Sequence, residues 1–554
     1  MENLIKVAQE WAAADPDPAT AQQILDLVAQ VEAGDAEANT KLQSCFAGPL
    51  QFGTAGLRGQ IGAGESRMNV AVVIRATYGL VQYLKSLVER PRVVVGCDAR
   101  YGSADFAKAA ARVISAAGGE ALVLPQANPT PLTSFTVRHL GADAGVMVTA
   151  SHNPAQDNGY KVYLGGRVAT GDGEGVQIIP PADSLIAAEI AAAPGANQIP
   201  QDDTNITSVD TRDQYVERAA TLGKAAHPLK IVLTAMHGVG APLAIASLTA
   251  AGFKDIIPVR EQIDPDPDFP TVPFPNPEEK GATDLAIKYA VENGADLIIA
   301  LDPDADRCAV AVPEGDTFRQ LSGDETGYLL GDYVATHAAT GTLACSIVSG
   351  RLLGKIAVGH GLKFKQTLTG FKWIARTPGL VYGYEEAIGH CVDPENVHDK
   401  DGISAAVKFA VLLSELKAHG SDALEKLDEL AKTYGTHLTS PLTFRFTDTS
   451  KIGEALERIQ KTPPQTILGA PIAECVDLAG GYRDIPGTKG LLLANENDAR
   501  VIIRPSGTEP KLKCYLEVVL DTPTEGPVPW DEARAQMQAF KAEIATALGM
   551  EVPQ

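Results

Sequence analysis

Short apolar runs alternate with amphipathic segments in three successive rounds along this chain. That order points to α/β units in which helices cross over between the strands of largely parallel sheets. In the first round, runs at 92–97, 121–124 and 144–148 read as strands. A helix opened by Asn69 carries Val70, Val73, Ile74, Thr77, Val81 and Leu84 on one face. A second helix spans 103–117 and is closed by Gly118-Gly119, and a short one starts at Pro131. The second round follows a polar, proline-bearing stretch at 194–207. It gives strands at 230–234, 255–259 and 296–301 with helices at 241–251 and 283–293, interrupted by a proline-rich loop at 264–277. The third begins at Gly323, has strands at 344–348, 363–368 and 380–384, and closes on helices 403–418 and 422–434. From about 443 the pattern changes, and a final helix spans 529–548. Ahead of all this, 1–45 reads as a cap of two helices, 3–14 and 19–33. We therefore expect an α/β protein of four domains: three similar mixed α/β units and a distinct C-terminal α+β domain, divided as 1–207, 208–322, 323–440 and 441–554. A length of 554 residues is compatible with three to five domains at roughly 150 residues each.

Composition narrows the function. A formal net charge of −22 argues against nucleic-acid or acidic-membrane surfaces, which require clustered Lys and Arg. A small phosphate ligand stays compatible, provided that a few cations converge locally. The N-terminus lacks the features of a signal peptide, and no apolar run is long enough to span a bilayer. Seven scattered cysteines without a CxxC pair suggest free thiols in a reducing compartment, so a cytoplasmic protein is expected.

Chemistry concentrates where strands end. Thr149-Ala150-Ser151-His152-Asn153-Pro154 follows the run 144–148, so a hydroxyl, an imidazole and an amide arrive together at the carboxyl end of a strand, where open α/β sheets bind ligands. Ser151 is a candidate nucleophile or phosphate carrier, although on its own the stretch reads more readily as a turn that bonds its own backbone. Asn158-Gly159-Tyr160-Lys161 lies close enough to return a lysine to the same place, unless Asn-Gly makes a hairpin turn. Asp302, Asp304 and Asp306 alternate directly after an apolar strand; such a trio repels unless a cation or a shared hydrogen-bond network offsets it, and the plainer reading is a solvated acidic turn. Hard oxygen ligands suit Mg²⁺. An EF-hand is excluded, because no glycine follows the third Asp and no Glu stands at the twelfth position.

Arg504-Pro505-Ser506-Gly507-Thr508 offers a guanidinium fork, hydroxyls and a glycine, with Lys511 and Lys513 nearby. Those are the donors a phosphate monoester requires. Gly53-Thr54-Ala55-Gly56-Leu57-Arg58-Gly59 is either a hinge or a mount for Arg58, and the chain contains no Walker sequence. Glu385 and Glu386 stand at a strand end, where they could accept sugar hydroxyls; alone they read as a solvated edge. His237, His360, His390 and His398 lack metal-ligand spacing and read as structural.

Together these loops resemble the α-D-phosphohexomutase family, whose phosphoserine, metal, sugar and phosphate loops look like 149–154, 302–307, 383–389 and 504–510 here, in that order. The variants present are most similar to the branch of long phosphoglucomutases and phosphopentomutase-type enzymes. The resemblance implies four domains in a heart-shaped arrangement around a central cleft. It implies that Ser151 carries the transferable phosphate and that Mg²⁺ is held by Asp302, Asp304 and Asp306 together with Ser151. Arg58 and Arg307 would flank the phosphoserine, and His152 and Lys161 are candidates for proton transfer. Glu385 and Lys400 would contact the sugar phosphate, while Arg504, Ser506, Gly507 and Thr508 would hold its non-reacting phosphate. Many hexomutases have Ser after the paired Glu, where this chain has Ala387, which leaves hexose selectivity open.

The implied activity is an Mg²⁺-dependent phosphoglucomutase that interconverts glucose 1-phosphate and glucose 6-phosphate through a phosphoserine and glucose 1,6-bisphosphate. Phosphomannomutase or phosphopentomutase activity is the alternative, and the chain would act as a monomer or homodimer. The attacking hydroxyl needs a base, expected to be a lysine or histidine made less basic by neighbouring cations. A metal-dependent sugar phosphatase would instead release inorganic phosphate, and a binding protein without catalysis would carry no phosphate on Ser151.

Overall fold

Val93, Val94 and Val95 are fully enclosed at the centre of a seven-stranded sheet, where a run of β-branched residues packs on both faces. The computed structural model describes residues 2–448, 450–506 and 510–553. With strands numbered in chain order, this sheet contains β1 (Leu57–Gln60), β2 (Arg92–Cys97), β3 (Glu120–Val123), β4 (Ala144–Val148), β5 (Asp157–Leu164), β6 (Val176–Gln177) and β7 (Ile206–Ser208), in the order β1-β5-β4-β2-β3-β7 with β6 beside β5. β2, β3, β4 and β7 are parallel, as helix crossovers require, whereas β5 runs antiparallel to both β4 and β1. The sheet is thus mixed rather than largely parallel.

The helix Val70–Leu87 begins where Asn69 Oδ1 accepts from Val72 N, and its inner face (Val73, Leu80, Val81, Leu84) joins Val93, Val95, Val146 and Val148 in one core. Each such side chain, fully buried, stabilises the fold by about 1.5–3 kcal/mol. Asn158-Gly159, a candidate hairpin turn, lies inside β5, because β1 and β4 occupy both of that strand's edges. The N-terminal cap has three helices rather than two: Glu2–Ala14, Pro18–Glu32 and Ala36–Cys45. Asp17 and Asp35 cap the second and third, and Ile24, Val28, Val31 and Leu42 form a separate small core.

A five-stranded sheet follows: β8 (Lys230–Thr234), β9 (Asp255–Pro258), β10 (Leu297–Leu301), β11 (Cys308–Glu314) and β12 (Thr317–Gln320), ordered β12-β11-β10-β8-β9. β8, β9 and β10 are parallel, and β11 returns antiparallel to β10, so 302–307 is the loop of a hairpin.

These two sheets lie in a compact unit made of the residues up to Leu321 together with Gly389–Glu415. A second unit comprises Ser322–Ile388 and the residues from Leu416 onward. Within the second unit, Thr342–Ser346 pairs in parallel with Lys363–Thr367 and Leu380–Glu385. Its other sheet has six strands, in the order Thr436–Arg445, Lys511–Leu520, Arg500–Pro505, Leu491–Asn495, Ala470–Asp477 and Thr466–Ile467, all antiparallel. The helices Ser450–Lys461 and Trp530–Leu548 pack their apolar faces into its core. The architecture is accordingly α/β in three successive sheets with a different, antiparallel C-terminal one. By sheet membership we propose the same four domains, with the first cut placed just past Ser208 and the third at Thr436, so that neither divides a strand.

Candidate active site

The period of two along β5 sends Tyr160 and Val162 into the core and Lys161 to the opposite face. β1 behaves alike: Leu57 is buried in the core, and Arg58 projects on the other side beside Gly159. Gly159 is required there, since a Cβ would come within 2.6 Å of Thr149 O and 2.8 Å of Leu57 O. Beyond the end of β4, Ser151 takes a left-handed backbone (φ 54°), held by its own N–H donating to Thr149 Oγ1 at 2.9 Å.

The hairpin loop after β10 supplies the carboxylates. Arg307 N donates to Asp302 Oδ1 at 3.0 Å, which tightens the loop, and Ala305 is left-handed (φ 54°). The loop rests on 237–240: a Cβ on Gly238 would meet Pro303 Cα at 2.3 Å, so only glycine fits that approach. Asp302, Asp304 and Asp306 are completely buried, and one potential ligand atom from each lies within 4.8 Å of the others.

Ser151 Oγ donates to Asp302 Oδ2 at 3.0 Å, and His152 Nδ1 is 3.4 Å from the same hydroxyl. Lys161 Nζ donates to Asp304 Oδ2 at 2.7 Å and to Asp306 Oδ2 at 2.8 Å. Lys400 Nζ lies 2.8 Å from Asp306 Oδ2. Arg58 Nη1 donates to Asn153 Oδ1 at 3.1 Å, and Arg307 Nε is 3.7 Å from Asp306 Oδ1. The first unit therefore brings together nine residues that the sequence singled out: Arg58, Ser151, His152, Lys161, Asp302, Asp304, Asp306, Arg307 and Lys400.

Electrostatics differentiates them. Burial, with Asp304 and Asp306 adding repulsion, pushes the Asp302 carboxyl well above its ordinary range. Burial acts on Asp306 in the same sense, but Lys161, Lys400 and Arg307 outweigh it and hold that carboxyl low. Enclosure, followed by the guanidiniums of Arg307 and Arg58, holds His152 well below the ordinary imidazole range and so neutral at pH 7. Lys161 corrects the expectation of a lysine made less basic: burial does lower it, yet Asp304 and Asp306 more than offset that and keep it an ammonium.

The donor set fits a divalent cation. Asp304 Oδ1 and Asp306 Oδ1 are buried and have no hydrogen-bond partner among the described residues, an arrangement that leaves oxygen lone pairs for a metal.

Two contributors escaped the sequence reading. Thr130 binds the carboxylate loop through its N–H to Asp304 O (2.9 Å) and its hydroxyl to Asp304 Oδ2 (2.5 Å). The loop bearing Lys400 is tied down on both sides: Asp399 accepts from Tyr163 Oη (3.0 Å) and Gln177 Nε2 (2.7 Å), and Asp401 accepts from Tyr215 Oη (2.8 Å). No local pattern announces these partners, which are distant in sequence. His237 and His360 are bonded to Thr271 and Asp332, in keeping with structural roles.

In the second unit, Glu386 is not a solvated edge: its carboxylate accepts from Ser346 Oγ (3.1 Å) and Ser349 Oγ (3.0 Å), and burial raises its pKa. Glu385 is 9% exposed at the end of its strand. Arg504 donates through Nη1 to Thr369 Oγ1, and its buried Nε has no partner among the described residues. Lys513 stands directly across from Arg504 on the neighbouring strand. Like charges so placed repel, which an anionic ligand would relieve. Ser506 N donates to Lys511 O; Gly507 and Thr508 lie outside the described residues.

Among the described residues, no helix is long and apolar enough to cross a membrane. All seven cysteines are free, and Cys475 alone among them is exposed.

Comparison with known proteins agrees with this geometry. Four domain profiles match in order: phosphoglucomutase/phosphomannomutase alpha/beta/alpha domain I at 49–194, domain II at 213–315, domain III at 322–434, and the C-terminal domain at 443–526. A "Probable phosphomannomutase" of Haemophilus influenzae is 44% identical over 81% of this chain and 93% of its own. The human phosphopentomutase is 34% identical over 92% of this chain and 90% of its own. The open form of pp63/parafusin, a phosphoglucomutase from Paramecium, shares the fold with a TM-score of 0.68 at 18% identity, covering 92% of this chain and 97% of that one.

Proposed function

This chain belongs to the phosphoglucomutase/phosphomannomutase family of phosphohexomutase-type isomerases, and on that premise we propose that it interconverts glucose 1-phosphate and glucose 6-phosphate by way of phospho-Ser151. The observation that supports this most is the Ser151 hydroxyl, 3.0 Å from Asp302 within a buried group of three carboxylates, two lysines and two arginines.

Asp302, Asp304 and Asp306, with Ser151, would hold Mg²⁺, which when bound supplies Lewis-acid neutralisation of charge on the phosphoryl oxygens. In the first transfer the P–Oγ bond of phospho-Ser151 breaks as a P–O6 bond forms, the O6 proton passes to a base and Oγ takes up a proton. His152, neutral and beside Ser151, suits that role. Lys161, held as an ammonium, is suited to donate a proton or to stabilise charge. The resulting 1,6-bisphosphate reorients; the P–O1 bond then breaks, a P–Oγ bond re-forms, the Oγ proton passes to a base and O1 takes up a proton. Phosphoryl transfer passes through a loose transition state, so positioning and charge stabilisation carry most of the catalysis. Arg58 and Arg307 would stabilise the phosphoserine. Glu385 and Lys400 would orient the sugar, and Arg504, Ser506, Gly507 and Thr508 would bind the non-reacting phosphate.

A pentose 1-phosphate is the second reading, favoured by the human relative's name and by Ala387, which offers no hydroxyl to a hexose. Purified protein, primed with a trace of the matching bisphosphate, should be assayed with glucose, mannose and ribose 1-phosphates. The highest kcat/KM for glucose 1-phosphate is expected. A preference for ribose 1-phosphate would transfer the assignment, and release of inorganic phosphate without isomerisation would end it.

A further inference from the structure

Arg100 follows β2 and takes no part in the group of nine, yet its side chain is almost wholly buried against the Ser151 loop. Nη2 donates to Ser151 O at 2.7 Å and to Asn153 O at 2.5 Å, and Nη1 to Pro154 O at 2.8 Å and Asp157 O at 3.1 Å. One guanidinium thus gathers four carbonyls from a single short loop. Nε lies 3.4 Å from Asp98 Oδ2, and Asp98 Oδ1 is fixed by Arg100 N and Ser103 Oγ at 3.0 and 2.6 Å. The open face of the guanidinium is covered by the Phe269 ring, 5.0 Å from Cζ to centroid.

Backbone strain marks both ends of this contact. Ser151 (φ 54°) and Phe269 (φ 49°) are left-handed, a conformation unfavourable for a bulky aromatic that persists only where the surroundings over-determine it. Phe269 belongs to the proline-rich loop, whose Asp266 N donates to His237 O, next to the Gly238 that rests on Pro303 of the carboxylate loop. The ring covering Arg100 therefore comes from the structure that also carries the three Asp residues.

We propose that Arg100 is the positioning residue of the phosphate-carrying loop: it fixes the carbonyl of Ser151 and those of Asn153, Pro154 and Asp157 after it, and Phe269 locks it in place so that the Ser151 hydroxyl is aimed at the carboxylates. The proposal rests on the reading of Ser151 as phosphate carrier. A planar five-donor fork does this and a lysine does not, because an ammonium cannot span four carbonyls in fixed directions. Misplacement of a reacting group by about 1 Å can cost about 100-fold in rate.

The test compares Arg100→Lys, Phe269→Leu and Phe269→Tyr with the wild type. The readouts are kcat and KM for glucose 1-phosphate and hydrogen exchange of the amides in 149–158. For Arg100→Lys we expect kcat to fall about 100-fold with KM changed less than about threefold, and exchange to quicken across 149–158 but not in β2 or β3. Phe269→Leu should show a weaker form of both effects, and Phe269→Tyr should restore them. A folded Arg100→Lys that keeps kcat within about threefold, or whose loop exchanges as in the wild type, overturns the proposal. If Arg100→Lys does not fold, the Phe269 pair decides: equal kcat and exchange in its two variants refutes the clamp. A wild type without mutase activity would sink the functional reading instead, and loop exchange alone would then judge Arg100.

Discussion

Lys161 Nζ lies 2.7 Å from Asp304 Oδ2, both groups buried away from water. Removing one partner of a buried ion pair leaves an uncompensated charge, at a cost of about 3–5 kcal/mol. Lys161→Met should therefore lower the thermal transition of the first unit by several degrees in EDTA. Excess Mg²⁺ should recover much of the loss, because a cation again faces Asp304 and Asp306. Calorimetry with and without the metal reads this; equal melting of variant and wild type in EDTA would contradict the buried pair.

Ser151→Ala removes the hydroxyl and leaves the loop's backbone contacts to Arg100 in place. Turnover should drop by at least about 1,000-fold with circular dichroism unchanged. Intact mass should show phosphate on the wild type after incubation with the bisphosphate and none on the variant. Substantial mutase activity in this variant would remove Ser151 from the mechanism.

Arg504→Ala should raise KM for the sugar phosphate about tenfold, since a charged hydrogen bond contributes about 1.5–3 kcal/mol. It should also relieve the repulsion with Lys513, so the substrate-free variant should melt no lower than the wild type. An unchanged KM would deny Arg504 its phosphate.

Glu517 supplies a pH dependence in the second unit. It is buried between Arg351 Nε (2.6 Å), Arg500 Nη2 (3.2 Å) and His437 Nδ1 (3.0 Å). Burial alone would raise its pKa, but Arg500, His437 and Arg351 overcome this and hold it far below the ordinary carboxylate range. The unfolded chain binds this proton at about pH 4.3, so the stabilisation is fully present above that pH and is lost as pH falls toward the folded value. Glu517→Gln should lower the urea midpoint of this unit at pH 7, and the gap to wild type should narrow below about pH 4. A gap that stays constant down to pH 3 would show that the ion pairs contribute nothing through linkage.

What the sequence disclosed divides along local and non-local lines. The strand Arg92–Cys97 is a run of valines between turn signals, and the helix Val70–Leu87 has both a capping Asn69 and an apolar stripe; such features act within a few residues. The helix Ala36–Cys45 was overlooked because its buried side is only Ala38, Leu42 and Cys45, too sparse to show a period. Ser151, His152 and the three Asp were recognisable because they sit in compact loops at strand ends, whereas Arg58 and Lys161 lie inside β1 and β5. Arg100 was not recognisable: its acceptors are carbonyls of 151–157, distant in sequence and brought alongside by the pairing of β2 with β4. The charge state of Lys161 was misjudged for the same reason, since its carboxylate neighbours come from another sheet.

The chain leaves its first compact unit at Leu321, returns to it for Gly389–Glu415, and leaves again. The two units are therefore not two consecutive lengths of polypeptide, and expressing the protein as two halves does not reproduce them. A break after Leu321 would put Asp306 on one fragment and Lys400, the ammonium that helps to neutralise it, on the other. Fragment complementation across that junction would have to restore a buried charge pair before it could restore a reaction.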